Sequence, residues 1–221
     1  MQPTWTAVDN YLKQHLVKPD VFLQQTLAFN IDYGLPPHDV SPLQGQFLGL
    51  MVQISGAKQI LEIGTLGGFS TQFMARALPE DGKLISLEKN ATSADIARQN
   101  IKRSHLEDKV TIIVGDAADT LPTMEAWVPF DMIFIDADKQ NSLLYLDWAM
   151  KLSRLGSLII MDNIVRGGTI IDEQRDPHAE GIRQALNAIK NNDHLSATAF
   201  QTVGEKGWDG FALLRVTKVP T

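Results

Sequence analysis

The stretch FDMIFIDADKQNSLLYLDW, residues 130–148, sets two carboxylates and an ammonium, Asp136, Asp138 and Lys139, directly after a run apolar enough to be a buried strand. A second acidic end, Asp162-Asn163, follows the apolar run SLIIM. If the two strands are neighbours, Asp136, Asp162 and Asn163 bring two carboxylates and an amide into one small space. Such a donor set suits a hard cation, Mg²⁺ foremost, with Ca²⁺ or Mn²⁺ as alternatives. For either aspartate alone, capping the following segment is the better reading; the pair together with Asn163 shifts the balance to a cation. There is no cysteine, and His15, His38, His105, His178 and His194 lack metal-site spacing, so a zinc-type site is disfavoured. Lys139, one turn beyond Asp136, would in isolation be a solvated charge. Beside carboxylates and a cation in a partly closed cleft, nearby positive charge favours its neutral amine and a general-base role. Asp138 either caps the next helix or touches substrate.

A third acidic end is Gly-rich: LEIGTLGGFS, residues 61–70. Its glycines would let backbone approach a ligand, and Ser70 could cap the helix that follows. The order is G-x-x-G-G, not the dinucleotide fingerprint G-x-G-x-x-G. Glu62, read as part of the turn, would repel a pyrophosphate. It suits a positively charged cofactor, and S-adenosylmethionine carries both an amine and a sulfonium. Glu88, at the next strand end, is placed to bind ribose hydroxyls, and Asp116, at the one after, could accept from an adenine amino group. The competing reading is a tight turn with solvated acids, which the joint presence of Glu88 and Asp116 weakens.

These residues need a scaffold that gathers strand ends. QILEIG, KLISLEK, VTIIVGD, FDMIFID and SLIIMDN alternate with helical segments such as FSTQFMARAL, ATSADIARQNIK and NSLLYLDWAMKL. This rhythm indicates βαβ units and a parallel sheet covered on both faces. LSATAFQTV and DGFALLRV, joined by GEKGW, read as a hairpin that adds an antiparallel strand. The expected sheet is seven-stranded, mostly parallel, with an antiparallel C-terminal strand. Before it, Trp5, Val8, Leu12 and Leu16 recur at helical spacing, and Phe22 to Ile31 forms a second stripe. Pro19-Asp20 separates the two, with Pro suited to a helix start. Ser41-Pro42 opens a third helix. The whole chain, residues 1–221, reads as one domain, with N-terminal helices over 1–57 and an α/β core over 58–221.

The 221 residues carry a formal net charge of −6, and 44% are hydrophobic. That is ordinary globular composition with no long basic run, which weighs against nucleic acid as a partner. No apolar run is long enough to span a bilayer. Asp9 and Lys13 interrupt the stretch a signal peptide would need, so a cytoplasmic location is expected. The N-terminal stripes offer more apolar surface than one sheet edge requires. They either pack on the chain's own sheet or form a symmetric interface.

LEIGTLGGFSTQFMARALPEDGKLISLEKN, FIDADK and MDN together resemble the cation-dependent O-methyltransferases that include caffeoyl-coenzyme A and catechol O-methyltransferases, and among them the small bacterial members. The likeness runs from about Val40 to the C-terminus and takes in SPLQGQFLGLMV and KGWDGFALLRV. It implies a Rossmann-like class I methyltransferase fold and a homodimer. It places the methionine part of S-adenosylmethionine on Glu62, Gly64, Thr65 and Ser70, with Val40 near it, the ribose on Glu88, and the adenine at Ala117 beside Asp116. Asp136, Asp162 and Asn163 would bind the divalent metal, with Asp136 also in the catalytic and donor-binding sets, and Lys139 would be the base. Asp138 matches a position that contacts substrate in the plant enzymes. Val40 departs from the Thr of some relatives, which leaves a backbone or packing role there. The loop VRGGTIIDEQRDP resembles the bacterial members, so a plant thioester acceptor is not implied. The expected reaction moves a methyl group to a hydroxyl of a small ortho-dihydroxy aromatic. Methylation of a hydroxylated nucleoside in transfer RNA is the rival enzyme reading, weakened by the acidic balance. A non-catalytic cofactor-binding module is a further rival, disfavoured by Asp136, Lys139, Asp162 and Asn163 occurring together. A nicotinamide dehydrogenase is rejected by Glu62 and the glycine order.

Overall fold

The computed structural model describes residues 1–172 and 176–218. Five runs form a parallel set: β1 (Gln59–Ile63), β2 (Lys83–Glu88), β3 (Val110–Val114), β4 (Phe130–Ile135) and β5 (Ser153–Met161). β6 (Leu195–Gly204) and β7 (Gly207–Val216) complete one sheet in the order β3-β2-β1-β4-β5-β7-β6. β7 lies antiparallel to both β5 and β6, so the expected fold is the one observed.

Side chains alternate along a strand, and these strands are apolar on both faces because both faces are covered. Leu61, Ile63, Ile85, Leu87, Ile133, Ile135, Ile159 and Met161 pack in one core with α7 (Ser142–Leu152) and α8 (Pro177–Lys190). Ile60, Leu84, Met132, Phe134 and Ile160 point the other way. They pack with α4 (Phe69–Ala77), α5 (Ala91–Arg103) and two helices from the N-terminal segment, α2 (Val21–Asp32) and α3 (Pro42–Ser55). A short helix, α6 (Ala117–Thr120), follows β3.

Ser41 caps α3 as expected, its Oγ accepting from Gln44 N–H. At α2 the cap is Asp20, which accepts from Leu23 N–H; Pro19 precedes it rather than opening the helix. α1 (Gln2–Leu16) buries none of its residues. It meets the β6–β7 hairpin through polar contacts: Asp9 Oδ2 accepts from Glu205 N–H at 2.8 Å, and Gln2 Nε2 donates to the Gly204 carbonyl at 3.0 Å. The connection between β6 and β7 is shorter than GEKGW suggests. Gly204 pairs with Gly207, whose φ of +96° permits the tight reversal, so only Glu205 and Lys206 remain as the turn. In the loop from Val165 to Pro177, residues 166–171 form a 3₁₀ turn, and residues 173–175 lie outside the described residues. Among the described residues, no helix is long and apolar enough to cross a membrane.

Candidate active site

A cleft of about 1040 Å³ opens beyond the carboxyl ends of the parallel strands, where the strand order changes direction between β1 and β4. Ligands in open α/β sheets bind at this position because the loops there diverge. Val40, Gly64, Thr65, Ser70, Glu88, Asp116, Ala117, Asp136, Asp138, Lys139, Asp162 and Asn163 all line it; Glu62 does not.

Glu62 lies inside β1, not in the turn, and has no solvent exposure. Its carboxylate accepts from Ser70 Oγ at 2.6 Å, Thr71 Oγ1 at 2.5 Å and Ser86 Oγ at 2.6 Å. Burial pushes its carboxyl up to about 7; the three hydroxyls oppose that shift and the nearby charge of Asp136 adds to it. Ser70 therefore does not cap α4. It sits within the helix, Gly68 holds the cap position at φ +82°, and the Ser70 hydroxyl is spent on Glu62.

The loop glycines are fixed largely by protein. A Cβ on Gly64, at φ +97°, would stand 2.6 Å from the Asp136 carbonyl oxygen. A Cβ on Gly67 would run into the Asn30 side chain, and Asn100 Nδ2 donates to the Gly67 carbonyl at 2.8 Å. Thr65 and Leu66 N–H groups donate to Glu88 Oε2 at 3.3 and 2.9 Å, so Glu88 braces the loop from the end of β2. Asp116 caps α6 through Ala118 N–H and pairs with Lys89 Nζ at 2.6 Å; that cation and the cap hold its carboxyl low. Ala117, its neighbour, is the first residue of α6 and is buried. Val40 is 7% exposed and packs in the core shared with α2 and α3 just before the Ser41 cap.

The β4 and β5 ends converge as their spacing implies. Asp136 N–H donates to the Ile63 carbonyl and Asp162 N–H to the Ile135 carbonyl, which extends the sheet ladder through both aspartates. Lys139 Nζ donates to Asp136 Oδ1 at 2.8 Å, and the lysine is 7% exposed, so this ammonium is not a surface charge. Asp162 is 6% exposed. Burial, then the charge of Asp136, pushes its carboxyl up to about 7, against the pull of Lys139. Among the described residues no group of three or more His, Cys, Asp or Glu side chains gathers as a metal cluster. The oxygen set here is two carboxylates and one amide. Asp138 does not cap the following turn: its oxygens accept from Asn141 Nδ2 and Tyr145 Oη, both at 2.5 Å.

Residues 14–215 match the family model described as O-methyltransferase. The chain belongs to this family. It is an S-adenosylmethionine-dependent O-methyltransferase. A catechol O-methyltransferase of Mycobacterium tuberculosis is 46% identical, with 97% of each chain aligned. The solved O-methyltransferase of Bacillus cereus in complex with S-adenosylhomocysteine shares 51% identity, with a TM-score of 0.97 over 98% of this chain and 100% of that one. An O-methyltransferase of Streptomyces achromogenes involved in tomaymycin synthesis, solved with S-adenosylmethionine, shares 39% identity, with a TM-score of 0.95 over 98% of this chain and 99% of that one.

Several residues of this O-methyltransferase site carry no sequence signal of their own. Thr71 and Ser86 satisfy Glu62 from α4 and β2. Tyr145, on α7, is buried against Asp138, and burial followed by that carboxylate raises its phenol. Asp39, next to Val40, accepts from Asn30 Nδ2 at 2.9 Å, and burial raises its carboxyl. Asp209, on β7, accepts from Asn163 Nδ2 at 3.1 Å. Only the KGWDG sequence of the closing strands hinted at it.

Proposed function

We propose that the enzyme methylates one hydroxyl of a small catechol-type acceptor with S-adenosylmethionine as donor, assisted by a divalent cation held by Asp136, Asp162 and Asn163. The observation that carries this reading is the convergence of those side chains, with a buried lysine 2.8 Å from one of them. Their chemistry fits a hard cation: all can offer oxygen. Burial first, and then repulsion from Asp136, raises the Asp162 carboxyl; a positive ion between the two carboxylates would relieve that repulsion. Mg²⁺ is the ion proposed, with Mn²⁺ or Ca²⁺ as substitutes. When bound, such an ion supplies Lewis acidity to a chelating diol.

The chain's own groups do the rest. Lys139 Nζ, nearly buried beside Asp136, would as the neutral amine accept the proton of the hydroxyl whose oxygen takes the donor methyl, with S-adenosylhomocysteine as the leaving product. Thr65, Ser70 and Gly64 line the part of the cleft that would take the methionine moiety. Glu88, Asp116 and Ala117 line the part that would take ribose and adenine. Glu62 acts one step removed: it fixes the Ser70 hydroxyl from within β1. Asp138, held by Tyr145 and Asn141, lines the acceptor side. Positioning of two reactants in one cleft accounts for much of the expected acceleration. The printed name of the Mycobacterium tuberculosis relative supports a catechol acceptor.

A homodimer in the cytoplasm is the proposed state. α1 buries nothing within the chain, and β6 is exposed along almost its whole length. Tyr11, Leu16, Ile31, Tyr33 and Phe200 leave large apolar area uncovered, which a second copy would cover. No observation favours transfer RNA as acceptor, and the formal net charge of −6 weighs against it. Incubation with labelled donor and a panel of ortho-dihydroxy compounds, beside total transfer RNA, tests the reading. Labelled small catechols that vanish with chelator are expected; labelled RNA, or chelator-resistant product, would refute it.

A further inference from the structure

We propose that Asp209 is a positioning residue of the cation site: it dictates which end of the Asn163 amide is turned toward Asp136 and Asp162. The proposal rests on the cation reading above. An amide side chain is nearly symmetric in shape, but only its oxygen ligates a hard cation. Something must therefore choose the oxygen. β7 runs antiparallel beside β5, which brings Asp209 alongside the segment that follows Met161. Asp209 Oδ2 accepts from Asn163 Nδ2 at 3.1 Å. An ionised carboxylate only accepts. It can take the nitrogen end of Asn163 and never the oxygen end, so Oδ1 is left for the cation.

The other carboxylate oxygen of Asp209 is also committed. Oδ1 accepts from the N–H groups of Val165 at 3.1 Å, Arg166 at 2.9 Å and Gly210 at 2.9 Å. These bonds explain a local oddity. Asn163 and Arg166 are non-glycine residues in the left-handed region, at φ +54° and +51°. Each such residue costs about 1 to 3 kcal/mol and persists only where its surroundings over-determine it. One carboxylate thus fixes both the backbone that presents Asn163 and the rotamer of its amide. This is how outer residues commonly orient metal ligands.

Asp209→Asn separates the two roles. Its amide oxygen can keep the three backbone N–H groups, so the turn survives. Its amide nitrogen then faces Asn163, accepts nothing, and selects the Asn163 oxygen, which presents the wrong end to the cation. The double variant Asn163→Asp with Asp209→Asn restores a correct pair, since a carboxylate at 163 can accept from the new amide and keep one oxygen free.

The test is Mn²⁺ binding, read by the paramagnetic resonance signal of free Mn²⁺, to wild type, Asp209→Asn and the double variant, with melting temperature and S-adenosylhomocysteine binding measured on each. Asp209→Asn is expected to lose roughly 10- to 100-fold in Mn²⁺ affinity while donor-product binding stays near wild type, and the double variant is expected to recover most of the loss. Wild-type Mn²⁺ affinity in a folded Asp209→Asn protein overturns the inference and leaves the cation reading standing. Failure of a folded double variant to bind Mn²⁺ also overturns it, and this arm decides alone if the single variant does not fold. A wild-type protein that takes up no Mn²⁺ overturns both.

Discussion

Gly64 and Asp136 meet backbone to backbone: a Cβ on Gly64 would lie 2.6 Å from the Asp136 carbonyl oxygen, and the glycine holds φ +97°. The Gly-rich loop is thereby seated on the turn that carries Asp136 and Lys139. Gly64→Ala must both strain its own backbone and push that turn away. The expected loss is about 2 to 4 kcal/mol of stability, with weaker binding of S-adenosylhomocysteine. Denaturant melts with and without that ligand measure both, and wild-type values for each would show that the contact has slack.

Glu62 makes the stability depend on pH in a definite direction. Its carboxyl sits near 7 in the folded chain against an ordinary 4.5. The folded state therefore holds the proton more tightly than the unfolded state does. The stability this group contributes is complete below about 4.5 and is lost as the pH rises through 7. Glu62→Gln cannot ionise, so its stability should fall less than that of wild type across this window, by up to about 3 kcal/mol. Parallel denaturant melts at about pH 4 and about pH 8, on either side of that window, provide the comparison. Identical slopes in the two proteins would mean that the three hydroxyls fully offset the burial.

Lys139 and a cation both want Asp136 Oδ1, which the ammonium now occupies at 2.8 Å. Lys139→Ala should bind the cation at least as well as wild type, yet lower the maximal rate by about 10²- to 10⁴-fold, the span usual for a lost general base. Single-turnover rates across pH decide this. A wild-type rate and pH profile in the variant would remove Lys139 from the proton path.

Asp162→Asn should leave the side of the cleft proposed for the donor intact, because Glu62, Glu88 and the loop glycines are braced by partners that do not include Asp162. Turnover in added Mg²⁺ should drop to the level of chelated wild type, with S-adenosylhomocysteine affinity changed less than about threefold (well under the 1.4 kcal/mol that a tenfold change represents). Full activity of the variant in chelator would count decisively against a cation at this place.

The strand-end acids could be read from sequence because a short, nearly continuous apolar run marks a strand buried on both faces, and the acid that follows it then falls at the strand's carboxyl end. The same logic placed Ser41 as a cap, since capping is settled within four residues. Glu62 was misplaced for the opposite reason. An acid inside a fully buried strand is costly, and what offsets the cost are hydroxyls of Ser70, Thr71 and Ser86 from two other elements. The loop glycines suggested ligand approach, but Gly67 is fixed by Asn30 and Asn100, each remote in sequence. Asp209 stayed hidden because its meaning depends on β7 lying beside β5, a pairing no local pattern specifies.

The most direct test of the central claim is the anomalous scattering of crystals grown with Mn²⁺ and S-adenosylhomocysteine. The expected result is one peak about 2 to 2.3 Å from oxygens of Asp136, Asp162 and Asn163, with the ligand's sulfur in the same cleft. A filled ligand site with no anomalous density among those side chains, and Lys139 still bonded to Asp136, would contradict it.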